Sequence, residues 1–254
     1  MVMLTILMSS GAGAQTLVVK AYTEDWPPYN FVKNKEVTGI SADILRAACE
    51  LATLQCESQL VPWVRAYKTV QEMPNTLIYT IARIPARESQ FLWVGPIATR
   101  TTWVYARTAV ANRIQTMQDL NKFRVGLIRD EASLTELMDA GISKSAIKVL
   151  NSQSDEMRLF KSGHIDVVVN TEIGMAMSRK QYDISATDVT KLMKLYDGGA
   201  LYFGMNLQSD PKLVEKLQSA VDKLRNDGRI QAIVQQYVKL PWSEITTYDT
   251  YRSF

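Results

Sequence analysis

Residues 77–82 (LIYTIA) and 165–169 (IDVVV) are apolar almost throughout. A strand that rests one face on a core alternates apolar and polar residues, whereas a run like these must be covered on both faces. Further β-prone runs stand at 17–22 (LVVKAY), 59–61, 101–106 (TTWVYA), 124–128 (RVGLI), 147–150 and 200–206 (ALYFGMN). Helical periodicity fills the gaps between them. Gly39-Ile40 opens a stripe of Ile40, Ile44, Leu45, Ala48 and Leu51. A short turn is expected at 117–120, and helices at 134–138 and 155–161, the latter ended by Gly163. Asp210 can cap a helix with Pro211 at its first position. Its stripe is Leu213, Leu217, Val221 and Leu224, and Asp227-Gly228 ends it. Ile230, Ile233, Val234 and Tyr237 give a last helix that stops at Pro241. Strands and helices thus alternate in two series, which predicts an α/β protein of two lobes with mostly parallel sheets. The pattern leaves open whether the chain crosses between the lobes once or twice.

The chain has 254 residues, 46% of them hydrophobic and 22% charged, enough to bury a substantial core. Its net charge of +3 is spread among mixed signs, with no basic run of the kind a nucleic-acid surface needs. Nucleic acid is therefore excluded as a partner. The first eight residues are mostly apolar, and Ala12-Gly13-Ala14 supplies a small-x-small cleavage pattern before Gln15. Residues 1–14 read as an export signal whose positive end is missing; the alternative is an ordinary buried strand start. No later stretch reaches the ~20 apolar residues of a membrane span, so the product is expected to be soluble outside the cytoplasm. Cys49 and Cys56 have no histidine near them in sequence, which speaks against zinc. In an exported chain they read as a disulfide worth ~2.5 kcal/mol on the chain-entropy account. Two free buried thiols are the alternative.

Several motifs then fall in a telling order. Trp26-Pro27-Pro28-Tyr29 follows the first strand, Gly39-Ile40-Ser41-Ala42-Asp43 starts the first helix, and Pro62-Trp63 closes the second strand. Arg83-Ile84-Pro85-Ala86-Arg87-Glu88 precedes Trp93-Val94-Gly95-Pro96, and Asp119-Leu120 leads to Val125-Gly126. Gly163-His164-Ile165-Asp166 and the helix from Leu213 to Gly228 complete the set. Over residues 17–240 the chain resembles the periplasmic solute-binding proteins of polar amino-acid ABC importers (family 3), typified by histidine- and lysine/arginine/ornithine-binding proteins. The two cysteines have the spacing of the disulfide in the histidine-binding branch. The resemblance implies the two-lobed type II periplasmic-binding-protein fold, with two hinge strands and the ligand in the interlobe cleft. Lobe 1 would comprise residues 15–104 and 200–254, lobe 2 residues 107–197. It further implies a periplasmic monomer, a small polar ligand, an inner-membrane permease as partner, and neither cofactor nor metal.

By the same resemblance Arg87 aligns with the arginine that holds the ligand's carboxylate, to which a guanidinium fork is well matched; a surface pair with Glu88 is the rival reading. Trp26 matches the aromatic that stacks on the ligand, Trp63 a wall position, and Thr80 a polar contact. Arg83 and Arg65 lie near enough to reach the cleft mouth. Three positions depart from the family: a binding serine is Ala82, the Gly-Thr-Thr loop reads Asp130-Glu131-Ala132, and the aspartate that pairs with the α-ammonium is Thr171. With that acid gone and two others in the facing loop, the ligand need not be an α-amino acid. Asp130 or Glu131 would then receive an amine or hydroxyls. Two rival functions remain. One is an enzyme resembling the periplasmic cyclohexadienyl dehydratases, with a carboxylic acid such as Glu172 or Glu131. His164 is the sole histidine and sits in a turn, so hydrolase triads lack a base. The other is a sensing module that signals to a separate membrane receptor.

Overall fold

The computed structural model describes residues 18–237. The expected export signal at 1–14, Leu17 at the first strand's start and Pro241 lie outside the described residues. The first series runs β1 (Val18–Thr23), a hairpin of β2 (Phe31–Lys33) and β3 (Glu36–Thr38), α1 (Ile40–Ala52), β4 (Gln55–Leu60), α2 (Trp63–Glu72) and β5 (Thr76–Ala82). A long β6 (Leu92–Arg107) leads into α3 (Thr108–Ala111), β7 (Val125–Ile128), α4 (Ala132–Asp139), β8 (Ile147–Leu150), α5 (Gln153–Lys161), β9 (Val167–Asn170) and α6 (Glu172–Gln181). An equally long β10 (Val189–Met205) returns the chain to α7 (Pro211–Asn226) and α8 (Arg229–Tyr237).

The strands lie in the order β4-β1-β5-β10-β6-β9-β7-β8. β1 pairs parallel with β4 and β5, and β7 parallel with β8 and β9. The two long strands in the middle are antiparallel to each other along their whole length, from Val189 opposite Arg107 to Met205 opposite Leu92. Each half packs its own core. One centres on Ile44, Leu77, Phe203, Leu217 and Leu224, the other on Val104, Leu120, Leu127, Leu137 and Val167. The chain therefore passes between the halves twice, through β6 and β10.

Local chemistry explains the element ends. Gly39 has φ +123°, and a Cβ there would lie 2.4 Å from the Tyr29 carbonyl oxygen, so only glycine turns the chain into α1. Asp210 accepts from the Lys212 amide at 2.9 Å and Pro211 opens α7, as the sequence predicts. Cys49 and Cys56 form a disulfide that ties α1 to β4. Helices α2 and α6 were not foreseen. The first carries a short apolar stripe, Trp63, Ala66 and Val70 at helical spacing, that sequence reading overlooked, and the second interrupts its buried face with Glu172, Gly174 and Ser178. β4 starts earlier than expected because, as an edge strand, it is polar at every other position. β10 is longer than expected because its first half is partly exposed and carries charge.

Candidate functional site

Where the two halves meet, side chains from both line a narrow cleft of about 50 Å³. Its first wall comes from the turn after β1, the start of α2 and the end of β5. Pairing of β5 with β10 skips a residue between Tyr79–Phe203 and Ile81–Tyr202, which leaves Thr80 as the bulged position. Thr80 has φ +66°, a left-handed conformation that β-branched residues rarely adopt, at a cost of ~1–3 kcal/mol. Its hydroxyl donates to Asn30 Oδ1, and Asn30 Nδ2 donates to the Glu24 carbonyl at 2.5 Å. The strained residue thereby fixes the turn that carries Glu24 and Trp26, and all three line the cleft.

Arg87 is 6% exposed and also lines the cleft. It donates to the Ala82 carbonyl at 3.2 Å and, across the cleft, to the Asp130 carbonyl. Trp63 Nε1 donates to that same carbonyl at 3.2 Å. The guanidinium carbon sits 5.7 Å from the Trp63 ring centre and 5.6 Å from that of Tyr67. Burial pushes the Arg87 pKa down, yet arginine stays charged at any ordinary pH. Two further bonds tie the halves: Tyr29 OH to Thr171 Oγ1 at 3.2 Å and Trp26 Nε1 to Asn170 Oδ1 at 3.4 Å.

Other expected residues are placed elsewhere. Glu88 pairs with Arg83 and not with Arg87; Arg83 is exposed and lies 5.6 Å from the Trp93 ring centre and 5.5 Å from that of Tyr202. Arg65 is exposed, and neither of these arginines lines the cleft. The Asp130 side chain is exposed, so its contribution is the backbone carbonyl. Thr171 caps α6 by accepting from the Gly174 amide at 3.1 Å, which together with Tyr29 occupies its hydroxyl. Among the residues weighed for acid chemistry, Glu131 lines the cleft, whereas Glu172 is paired with Lys191. His164 is exposed, 2.9 Å from Ser162 Oγ.

The cleft also holds groups that sequence reasoning missed, Arg100, Glu24 and Glu156, beside the expected Glu131. Arg100, 4% exposed, makes a two-pronged bond to Glu136 at 2.6 and 3.0 Å. Beside it Glu24, Glu131 and Glu156 face the same space. Burial, then the neighbouring Glu131 and Glu24, push the Glu156 carboxyl well above the usual range. Burial, then Glu131 and Asp25, do the same to Glu24. Glu131 is raised by burial to about 7, against the pull of Arg100 and Arg87. Glu156 Oε1 and Gln153 Oε1 are buried with no hydrogen-bond partner, while Gln153 Nε2 donates to Ser178 at 3.2 Å. Arg100 had one sequence signal, as the single charge between Leu92 and Ala106, just before the strand expected at 101–106. Glu156 had none, since an acid in the first turn of a capped helix is ordinary.

Known proteins share this architecture. The solved structure of the arginine-, lysine-, histidine-binding protein ArtJ from Geobacillus stearothermophilus superposes with TM-score 0.77 at 14% identity, covering 92% of this chain and 99% of that one. The substrate-binding protein of an amino acid ABC transporter gives 0.75 at 17%, covering 88% and 100%. The ancestral amino acid-binding protein AncCDT-1, described as a precursor of cyclohexadienyl dehydratase, gives 0.72 at 16%, covering 87% and 95%. At such identities the likeness establishes the two-lobed fold. No curated protein matches the sequence. The family model does, over residues 18–240, and the chain belongs to the bacterial extracellular solute-binding proteins, family 3.

Proposed function

We propose that the chain captures a small polar solute in the periplasm and presents it to an ABC importer in the inner membrane. Residues 15–104 with 200–254 would act as one lobe and 107–197 as the other, closing about β6 and β10. The observation that carries this reading is the Asp130 carbonyl, gripped from the facing wall by both Arg87 and Trp63. Such a clasp exists only when the walls are together, so a solute that contacts both walls would shift the chain toward this closed form. The names of the neighbours favour amino acids or related amines and carboxylates as solutes, with Arg87, Trp26, Trp63, Thr80 and Glu131 in contact. A thermal-shift screen of amino acids, amines, carboxylates and sugar acids on the mature chain tests it. A solute at 100 times its dissociation constant adds ~2.7 kcal/mol of stability. If no small solute moves the melting curve, the reading fails.

One observation favours a second reading. A carboxyl raised to about 7 in a cleft, as for Glu131, is suited to acid–base chemistry near neutral pH. Turnover of prephenate or arogenate by the purified chain, lost in Glu131→Gln, would establish it.

A further inference from the structure

Three carboxyl groups, Glu24, Glu131 and Glu156, share the cleft lining with two guanidinium groups, Arg87 and Arg100. Arg100 is already neutralised by its two bonds to Glu136. Arg87 is the remaining cation on the walls, and the bonds it makes go to two backbone carbonyls. Against it stand three carboxyl groups, Glu24, Glu131 and Glu156. Glu156 is the most telling. It is 3% exposed, lines the cleft from the first turn of α5, and its Oε1 meets no donor. One helical turn earlier, Gln153 leaves its own Oε1 in the same condition, because its amide nitrogen is committed to Ser178. A buried acceptor without a donor costs ~1–3 kcal/mol, more if charged, and a ligand rich in N–H groups removes that cost.

From this we infer that the solute is a net cation, an amine or guanidine, that docks its N–H groups on Glu156 and Gln153 with Glu131 and Glu24 flanking. The inference rests on the solute-binding reading and names its substrate class; a carboxylate on the solute is not required. An anionic solute would bring negative charge among three carboxyls in a water-poor space, where like charges repel most strongly. A cation reverses that term, and the Trp26 ring, which lines the same cleft, adds to it. Uptake then ejects the protons that the crowded carboxyls retain in the free protein. Asp25, Arg87, Arg100, Glu136 and Tyr182 are the other ionisable groups that act on this cluster.

Four probes with the same four-carbon spacing separate charge from shape: 1,4-diaminobutane, 4-guanidinobutylamine, zwitterionic 4-aminobutanoate and succinate. Calorimetric titration of the mature chain at pH 6 and pH 8 should give binding for the cations, tighter at the higher pH, with protons released to buffer. Glu156→Gln should weaken a bound cation by about thirtyfold or more, with the melting curve of the free protein showing that the fold is kept. Glu131→Gln is the second variant and should lower the number of protons released. A cationic hit from the wider screen that Glu156→Gln weakens supports the inference equally. Binding of the zwitterion or succinate as tight as that of the cations overturns it, as does a Glu156→Gln variant with unchanged affinity. In those cases the solute-binding reading survives, whereas a screen with no binder at all defeats both.

Discussion

Between pH 5 and pH 8 the solute-free protein should lose stability as the pH rises. Glu131 carries the effect most directly. Its carboxyl titrates at about 7 in the folded chain against an ordinary 4.5 once unfolded. Across that window the folded state holds a proton the unfolded state has released, so the slope of unfolding free energy against pH is negative. At 1.36 kcal/mol per unit, the 2.5-unit gap corresponds to up to about 3 kcal/mol, lost progressively from pH 4.5 to 7 and flat above. Glu24 and Glu156 are raised too and act in the same direction, and because the three interact they titrate as a set. The depressed carboxylates, among them Asp166, Asp197 and Asp227, contribute only below the ordinary carboxylate range and leave this window untouched. Urea unfolding followed by circular dichroism at half-unit pH steps measures the slope, with constant m as the check on two-state behaviour. Glu131→Gln should remove about one proton's worth of it. A flat or rising profile, or an identical slope in Glu131→Gln, would refute the assignment of a proton-retaining acid cluster to the cleft.

Other perturbations probe the clasp and the hinge. Arg87→Ala should raise the dissociation constant of the solute found in the melting screen by about tenfold or more, the loss of a charged hydrogen bond across the walls. The fold should persist, as circular dichroism would show, because Trp63 still holds the Asp130 carbonyl. Glu136→Ala strands Arg100, which is 4% exposed, and should cost ~3–5 kcal/mol in urea unfolding. A loss below about 1 kcal/mol would show that water reaches the pair.

How much was legible follows from the range of each interaction. Where a residue's role is set by neighbours in sequence, reading succeeded: Asp210 and Pro211 start α7, the continuous apolar run at 77–82 lies within β5, and the two cysteines pair across one helix end. Order of motifs added the family and the two-lobed fold. Where the apolar pattern is interrupted for tertiary reasons, reading failed, as in α6 and the charged half of β10; in α2 the stripe was short and was overlooked. At the cleft the same division holds. Arg87, Trp26, Trp63, Thr80 and Glu131 were named from motif position, and they line it. Arg83 and Arg65 were named on proximity in sequence and are exposed: Arg83 follows the end of β5, and Arg65 lies two residues past Trp63 on α2, on another face of the helix. Asp130 was named from the same loop motif as Glu131 and meets Arg87 through its backbone carbonyl.

The sequence alone determined that this is a two-series α/β chain of an extracellular solute-binding family, and marked Ala82, Asp130-Glu131-Ala132 and Thr171 as departures from the pattern it resembles. Only the tertiary structure decided which acids share the cleft. Glu24, Glu131 and Glu156 lie more than a hundred residues apart at the extremes, and Glu24 and Glu156 are unremarkable in their own segments. Folding brings them to one water-poor cleft, where desolvation and mutual repulsion act on all three at once. Those two terms depend on burial and distance, and neither quantity is written in the order of the residues.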